Sequence, residues 1–216
     1  MQPLASQSHA RFPLSRILAS SGSVRVLRAL CMFGGPLSVS QIAQDAAMTP
    51  QGVRITLDSL AGQQIVSALG QRRSMLYEIN ARHPMASSLR ALFADELAQW
   101  EGILRSLRHV IGKFRDIEAA WYYGSVARGE DGPSSDLDIA IVVSGGDIDA
   151  VTEAVRDALH EAPELSTIAC SVVAVPMAEI STMAKESAWW QEVAVDAKIL
   201  KGKSPDSLLR HLRHAA

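Results

Sequence analysis

The sequence predicts an α+β fold in two parts: a mostly helical first part ending in a short β-hairpin, and a second part built on a mixed β-sheet with flanking helices. Three observations predict it. Through the first half, apolar residues recur at threes and fours, the period of helices with one buried face. The second half alternates short apolar runs with a helical stretch, in the β-α-β order of a mixed sheet. Charge also divides along the chain. Residues 1–83 hold eight Arg, no Lys and three acids, a net of +5, whereas residues 84–216 hold 13 Lys and Arg against 20 Asp and Glu, a net of −7. Two parts with different partners are expected from such a division. A basic N-terminal part suits nucleic acid, and an acidic C-terminal part suits a phosphate ligand only through metal ions.

Length and composition agree with this division. A chain of 216 residues, 48% apolar and 20% charged, is long enough for two small domains that each bury a core. The first twenty residues lack the continuous apolar core of a signal peptide, and no run reaches the roughly 18 residues of a membrane span. No membrane partner is expected, and the cytoplasm is the default location. Cys31 and Cys170 both sit in apolar segments, which argues against a disulfide framework.

In the first part, "SVRVLRALCMF" carries an apolar stripe of Val24, Val26, Leu27, Leu30 and Cys31, and "FGGP" stops it. Ser38 with Gln41 fits a capping box for a short second helix. Thr49 then fits an N-cap with Pro50 in the first helical position, opening a third helix through "QGVRITLDSLAGQ". Val53, Leu57 and Leu60 face its core side, leaving Gln51, Arg54, Ile55 and Asp58 outward. Two short strands follow, "QIVSAL" and "SMLYEIN", joined by "GQRR" with Arg72 and Arg73 at its tip.

Helix, helix, tight turn, helix and basic hairpin is the order of a winged helix-turn-helix, and residues 20–83 resemble that family in the MarR/ArsR style. The resemblance implies duplex DNA as a partner, with the third helix in the major groove and the wing on the backbone or minor groove. Gln51 and Arg54 are then the base-edge candidates, and Arg72 and Arg73 the phosphate or minor-groove contacts. A protein-interaction or dimerisation module is the alternative use of such a domain.

Residues 84–115 form the connector. Leu89, Leu92, Phe93, Leu97, Trp100, Ile103, Leu104, Leu107, Ile111 and Phe114 space at threes and fours, giving one long amphipathic helix or two in succession. Such a stripe packs across both domains or pairs with a second copy, and a homodimer would suit a reader of two DNA half-sites. The expected domains are therefore 1–83, the helical connector 84–115, and 116–216.

Near the start of the C-terminal domain stands "WYYGSVARGEDGPSSDLDIAIVV", residues 121–143. "EAAWYY" reads as a strand, "GSVARGE" as a strand-to-helix turn and "DLDIAIVV" as a second strand. On a strand, Asp136 and Asp138 share a face. Two carboxylates on one face ligate a hard divalent cation, which takes substrate phosphates as further ligands. Gly124 allows close backbone approach, and free N–H groups after Ser125 favour a phosphate. Together these make a triphosphate and metal site.

The segment resembles the signature of the polymerase-β-like nucleotidyltransferases, in particular the minimal ones, with GS-x-A-R-G, a loop, then S-D-[LI]-D. Gly124, Ser125, Ala127, Arg128, Gly129, Ser135, Asp136 and Asp138 match it. The resemblance implies Gly124 and Ser125 as the triphosphate cradle, with Ser135 beside it, and Asp136 and Asp138 as ligands of Mg²⁺ or Mn²⁺. Arg128 is a phosphate contact or the ion-pair partner of a nearby acid. The implied reaction moves a nucleoside monophosphate from an NTP to an acceptor hydroxyl, on RNA or protein, and releases pyrophosphate.

One departure stands out. The family's third carboxylate usually lies on a later strand, here "LSTIACSVVAVP", residues 165–176, which holds no Asp or Glu; Cys170 and Ser171 occupy the positions that would present one. Glu164 substitutes only if the chain bends it inward. Further on, Trp189 and Trp190 either stack a base or divide between core and surface. Two functions follow: a Mg²⁺-dependent nucleotidyltransferase recruited by a DNA-binding winged helix, or a DNA-binding transcription regulator whose transferase-like domain binds a nucleotide with impaired catalysis.

Overall fold

The structure is a computed structural model that describes residues 11–71 and 74–215. It divides into two compact units between Ala98 and Gln99.

In the first unit, a short α1 (Leu14–Ile17) leads into α2 (Ser21–Phe33), β1 (Leu37–Ser38), α3 (Val39–Asp45), α4 (Pro50–Gly62), β2 (Val66–Leu69) and β3 (Leu76–Ile79). The helix boundaries follow from local chemistry. The Ser20 hydroxyl accepts from the Ser23 N–H at the start of α2, and Gly34, at φ 74°, ends it by donating to the Leu30 carbonyl. Ser38 and Gln41 form the reciprocal capping box of α3. Thr49 caps α4 by accepting from the Gly52 N–H, with Pro50 in the first turn. The strands form one antiparallel sheet in the order β1-β3-β2. Helices and sheet share a core of Ile17, Leu27, Leu30, Ile42, Val53, Leu57, Leu60 and Ile65, each at most 1% exposed. The order of helices and strands is the one expected of a winged helix-turn-helix, with the β2–β3 hairpin in the place of the wing. Arg72 and Arg73, the expected wing tip, lie outside the described residues.

The expected connector is a single helix, α5 (Ala86–Gly112). The division between the two units falls within it. Ala86, Leu89 and Phe93 belong to the core of the first unit, whereas Ile103, Leu107, Val110 and Ile111 belong to a core of the second. The reason is the length of its apolar stripe, which supplies a face to each core in turn. Leu92 and Leu97 on the same helix are exposed.

The second unit continues through β4 (Ile117–Tyr123), α6 (Gly124–Arg128), β5 (Leu137–Val143), α7 (Ile148–His160), β6 (Cys170–Pro176), α8 (Ile180–Glu186), α9 (Ala188–Asp196), β7 (Lys198–Lys201) and α10 (Pro205–Ala215). Its mixed sheet runs in the order β6-β5-β4-β7. β5 is antiparallel to β4 and parallel to β6, and β7 closes the other edge antiparallel to β4. The sheet is covered on both faces. One face packs Ile117, Leu137, Ile139, Ile141 and Val172 with residues of α5 and α7. The other packs Ala119, Trp121, Tyr123, Ala140 and Val142 with Ile180, Trp190, Val193 and Leu208 from α8, α9 and α10. Burial on both faces explains why β5 reads as an almost unbroken apolar run after Asp138.

Candidate functional site

The site is built where β4 ends and β5 begins. The antiparallel register sets Tyr123 opposite Asp138, so the Gly-Ser turn that follows Tyr123 lies beside the start of β5. Gly124 adopts φ +75°, a left-handed conformation that L side chains rarely take. A Cβ placed on it would come within 2.6 Å of Asp138 Oδ2. Glycine is thus required twice, for the backbone angle and for the carboxylate resting against it. The five residues of α6 then run to Gly129, again left-handed at φ 71°.

Asp136 precedes the first residue of β5 and is exposed, while Asp138 lies on the strand and is half-buried. Burial raises the Asp138 carboxyl above its ordinary value, and the neighbouring Asp136 charge pushes it the same way. Burial also raises the Cys170 thiol, with Asp136 adding to it. Among the described residues, neither Asp136 nor Asp138 enters an ion pair. Two carboxylates that repel each other without a side-chain cation form a donor set suited to a divalent ion. The residues present therefore fit a hard cation held by Asp136 and Asp138.

Ser135 closes the loop before the aspartates. Its hydroxyl accepts from the Gly132 N–H at 3.0 Å, and its own N–H donates to the Gly132 carbonyl at 3.0 Å. Arg128 is turned to acids: its Nε donates to Glu130 at 2.8 Å and its Nη1 pairs with Asp196 at the end of α9. Of the two roles expected for Arg128, the ion-pair partner is the one its surroundings present.

The third-carboxylate position is also defined. The parallel register sets Ser171 beside Asp138 and Cys170 beside Leu137. Glu164 does not bend inward; in a 3₁₀ turn before β6, it accepts from the Ser106 hydroxyl of α5 at 3.3 Å. Among the described residues no cluster of three His, Cys, Asp or Glu side chains is placed to hold a metal ion.

The tandem tryptophans of α9 take the second of the two arrangements expected of them. Trp189 donates its indole N–H to the Tyr123 hydroxyl at 2.9 Å, with the rings nearly perpendicular and 5.8 Å apart. Trp190 is 2% exposed and packs edge-on against Trp121. The tandem tryptophans thus divide between the sheet core and the flank of Tyr123, rather than forming an open stacking pair. Burial raises the Tyr123 phenol above its ordinary value; the Trp189 N–H opposes this, and Asp138 and Glu192 add to it.

Comparison with known proteins adds the family. Residues 105–174 match the family described as polymerase beta, nucleotidyltransferase. Residues 105–174 of the second unit are thus similar to the polymerase-β-type nucleotidyltransferases. Gly124, Ser125, Arg128, Ser135, Asp136 and Asp138 all fall inside the matched range, whereas α8, α9, β7 and α10 lie beyond it. Among solved structures, the antimony-specific transcriptional repressor AntR is 25% identical over 47% of this chain and 90% of its own, with a TM-score of 0.37. A toxin-antitoxin structure with AMP-PNP is 17% identical over 55% of this chain and 87% of its own, at TM-score 0.32. A mutant of the MntA-HpeT toxin-antitoxin is 15% identical over 53% and 87%, at 0.31. Comparison with curated proteins finds no match.

In the first unit, Gln51 and Arg54 stand exposed on α4, three residues apart and so on one face. Ile55, 62% exposed, and Asp58 share the outward side. No helix among the described residues is long and apolar enough to cross a membrane.

Proposed function

We propose that this is a nucleotidyltransferase-family protein with a DNA-binding winged helix, which takes an NTP with Mg²⁺ and moves its nucleoside monophosphate to an acceptor hydroxyl. The observation that carries the reading is the approach of Gly124 to Asp138: the turn after β4 has no room for a side chain because a carboxylate occupies that space. Asp136 and Asp138 would hold the cation, and Gly124 and Ser125 would cradle the phosphates. The cation supplies charge neutralisation and orientation of the phosphates for an in-line displacement. The protein's part is to keep two uncompensated carboxylates on one strand end and a side-chain-free backbone facing them. Ser135, tied to Gly132, holds the loop that delivers Asp136.

On α4, Gln51 and Arg54 are the groups offered to base edges in a major groove, where Gln pairs with adenine and Arg with guanine. The +5 charge of residues 1–83 supports duplex DNA as the partner of that unit. Second copies of the chain would supply the paired half-site readers such domains use.

A second reading is favoured by one observation. With Ser171 beside Asp138 and Glu164 turned to Ser106, no third carboxylate among the described residues joins Asp136 and Asp138 to take the proton of the attacking hydroxyl. A transcription regulator that binds nucleotide without efficient transfer fits this arrangement. The deciding experiment incubates the protein, and an Asp136→Ala/Asp138→Ala variant, with each α-labelled NTP and Mg²⁺ or Mn²⁺ in the presence of RNA or protein acceptors. Label on an acceptor and pyrophosphate release, both lost in the variant, establish transfer. Nucleotide binding without label transfer establishes the regulator.

A further inference from the structure

The turn that carries Gly124 and Ser125 has little of its own to hold it in place. α6 is a single turn of five residues with no buried residue and no side-chain cap, and left-handed glycines, Gly124 and Gly129, stand at its two ends. A segment with so few restraints samples other shapes unless neighbours fix it. Val126 packs against the core on the α5 and α7 side of the sheet, and the two ends of the turn are held from α9. At the entry to the turn, the Trp189 N–H donates to the hydroxyl of Tyr123, the residue directly before Gly124. At its exit, Arg128, the last residue of α6, is paired with Asp196, whose side chain is only 9% exposed. α9 is itself anchored, since Trp190 and Val193 between those two residues are buried in the core on that face of the sheet. The serine that begins α9, Ser187, caps it by accepting from the Trp190 N–H. A helix fixed by its buried side thus grips the turn at both ends from its other side.

We propose that Trp189 and Asp196 are positioning residues, which through Tyr123 and Arg128 hold the Gly124–Ser125 turn against the Asp138 carboxylate in the shape that receives a triphosphate. The inference rests on the reading of this site as a metal and nucleotide site. It assigns Arg128 to shaping the turn, because its Nε and Nη1 are already committed to Glu130 and Asp196. It also places part of the site outside residues 105–174, the range that the nucleotidyltransferase family model matches.

The test uses the full chain and three probes: ATP with Mg²⁺, inorganic tripolyphosphate with Mg²⁺, and adenosine, titrated well below the melting temperature. Trp189→Phe and Tyr123→Phe each keep a ring and remove one side of the hydrogen bond. Each is expected to weaken ATP and tripolyphosphate about tenfold, and the double variant no further than either single, because all three delete the same bond. Asp196→Arg and Arg128→Asp are each expected to weaken both probes, and the combined exchange to recover most of that loss. Any affinity for adenosine stays unchanged. Variants that bind ATP as the unaltered protein does overturn the inference. So does a double variant whose losses simply add, or a charge exchange no better than its singles. If the unaltered protein binds neither tripolyphosphate nor any of the four NTPs, the nucleotide reading itself fails and this inference falls with it.

Discussion

Replacing Gly124 by alanine tests the geometry of the site at its tightest point. The new Cβ would sit 2.6 Å from Asp138 Oδ2, against the 3.4 Å at which ordinary contact begins, so the carboxylate must retreat by about 0.8 Å. Holding alanine at φ +75° costs roughly 1–2 kcal/mol, and moving Asp138 off its rotamer roughly 0.5–1.5 kcal/mol more. Together these come to about 1.5–3.5 kcal/mol, which lowers the melting temperature by about 3 °C or more for a chain of this size. The displaced carboxylate also leaves its proposed place as cation ligand, so Mg²⁺-dependent ATP binding weakens. Thermal melts and Mg²⁺–ATP titration read the two effects. Gly132→Ala is the control, since nothing lies within 4 Å of a Cβ there. A Gly124→Ala protein that melts and binds nucleotide like the Gly132→Ala control would refute the close approach of turn and carboxylate.

Other outcomes follow from the same structure. Folded Asp138 keeps its proton to higher pH than the unfolded chain does, so its ionisation subtracts stability as pH rises from the ordinary carboxylate value through the raised one. Asp138→Asn should therefore melt higher than the unaltered protein at neutral pH, match it at low pH, and lose Mg²⁺–nucleotide binding; a lower melting temperature at neutral pH contradicts this. Gly202→Ala sets a Cβ 2.2 Å from the Glu118 carbonyl oxygen at φ +71°, a clash with backbone that no rotamer relieves. It should cost more than about 2 kcal/mol, and chemical denaturation reads the loss. Arg54→Ala should weaken binding to a selected duplex by roughly 1–3 kcal/mol and relax base preference, as a footprinting or selection assay will show.

Much of this molecule was legible in its sequence because the deciding signals are local. The caps at Ser38 and Thr49, the stop at Gly34 and the inward stripe of Val53, Leu57 and Leu60 depend on residues within a few positions of one another, and each stands as expected. The placement of Gly124 beside Asp138 was readable for a related reason: a fixed motif carries its spacing across one hairpin-like pairing of strands. What the sequence did not reveal depends on contacts across the fold. Asp196 lies 68 positions from Arg128, and Trp189 lies 66 from Tyr123, so neither pairing leaves a spacing signal. The tandem tryptophans were visible, but their division followed only from the packing of α9. The edge strand β7 beside β4 likewise joins segments that chain order keeps apart. The division between the two units falls inside α5, and the sequence does not mark it, because an unbroken apolar stripe does not record which core each turn of helix enters.

The measurement that bears most directly on the site is equilibrium titration of the purified full chain with each NTP, in Mg²⁺ and then in excess chelator, beside the Asp136→Ala/Asp138→Ala protein. Saturable binding of at least one NTP that requires both the cation and the two aspartates is the expected result. Binding that persists in chelator and in the variant, or no binding of any NTP, would contradict a metal and nucleotide site at Gly124, Asp136 and Asp138.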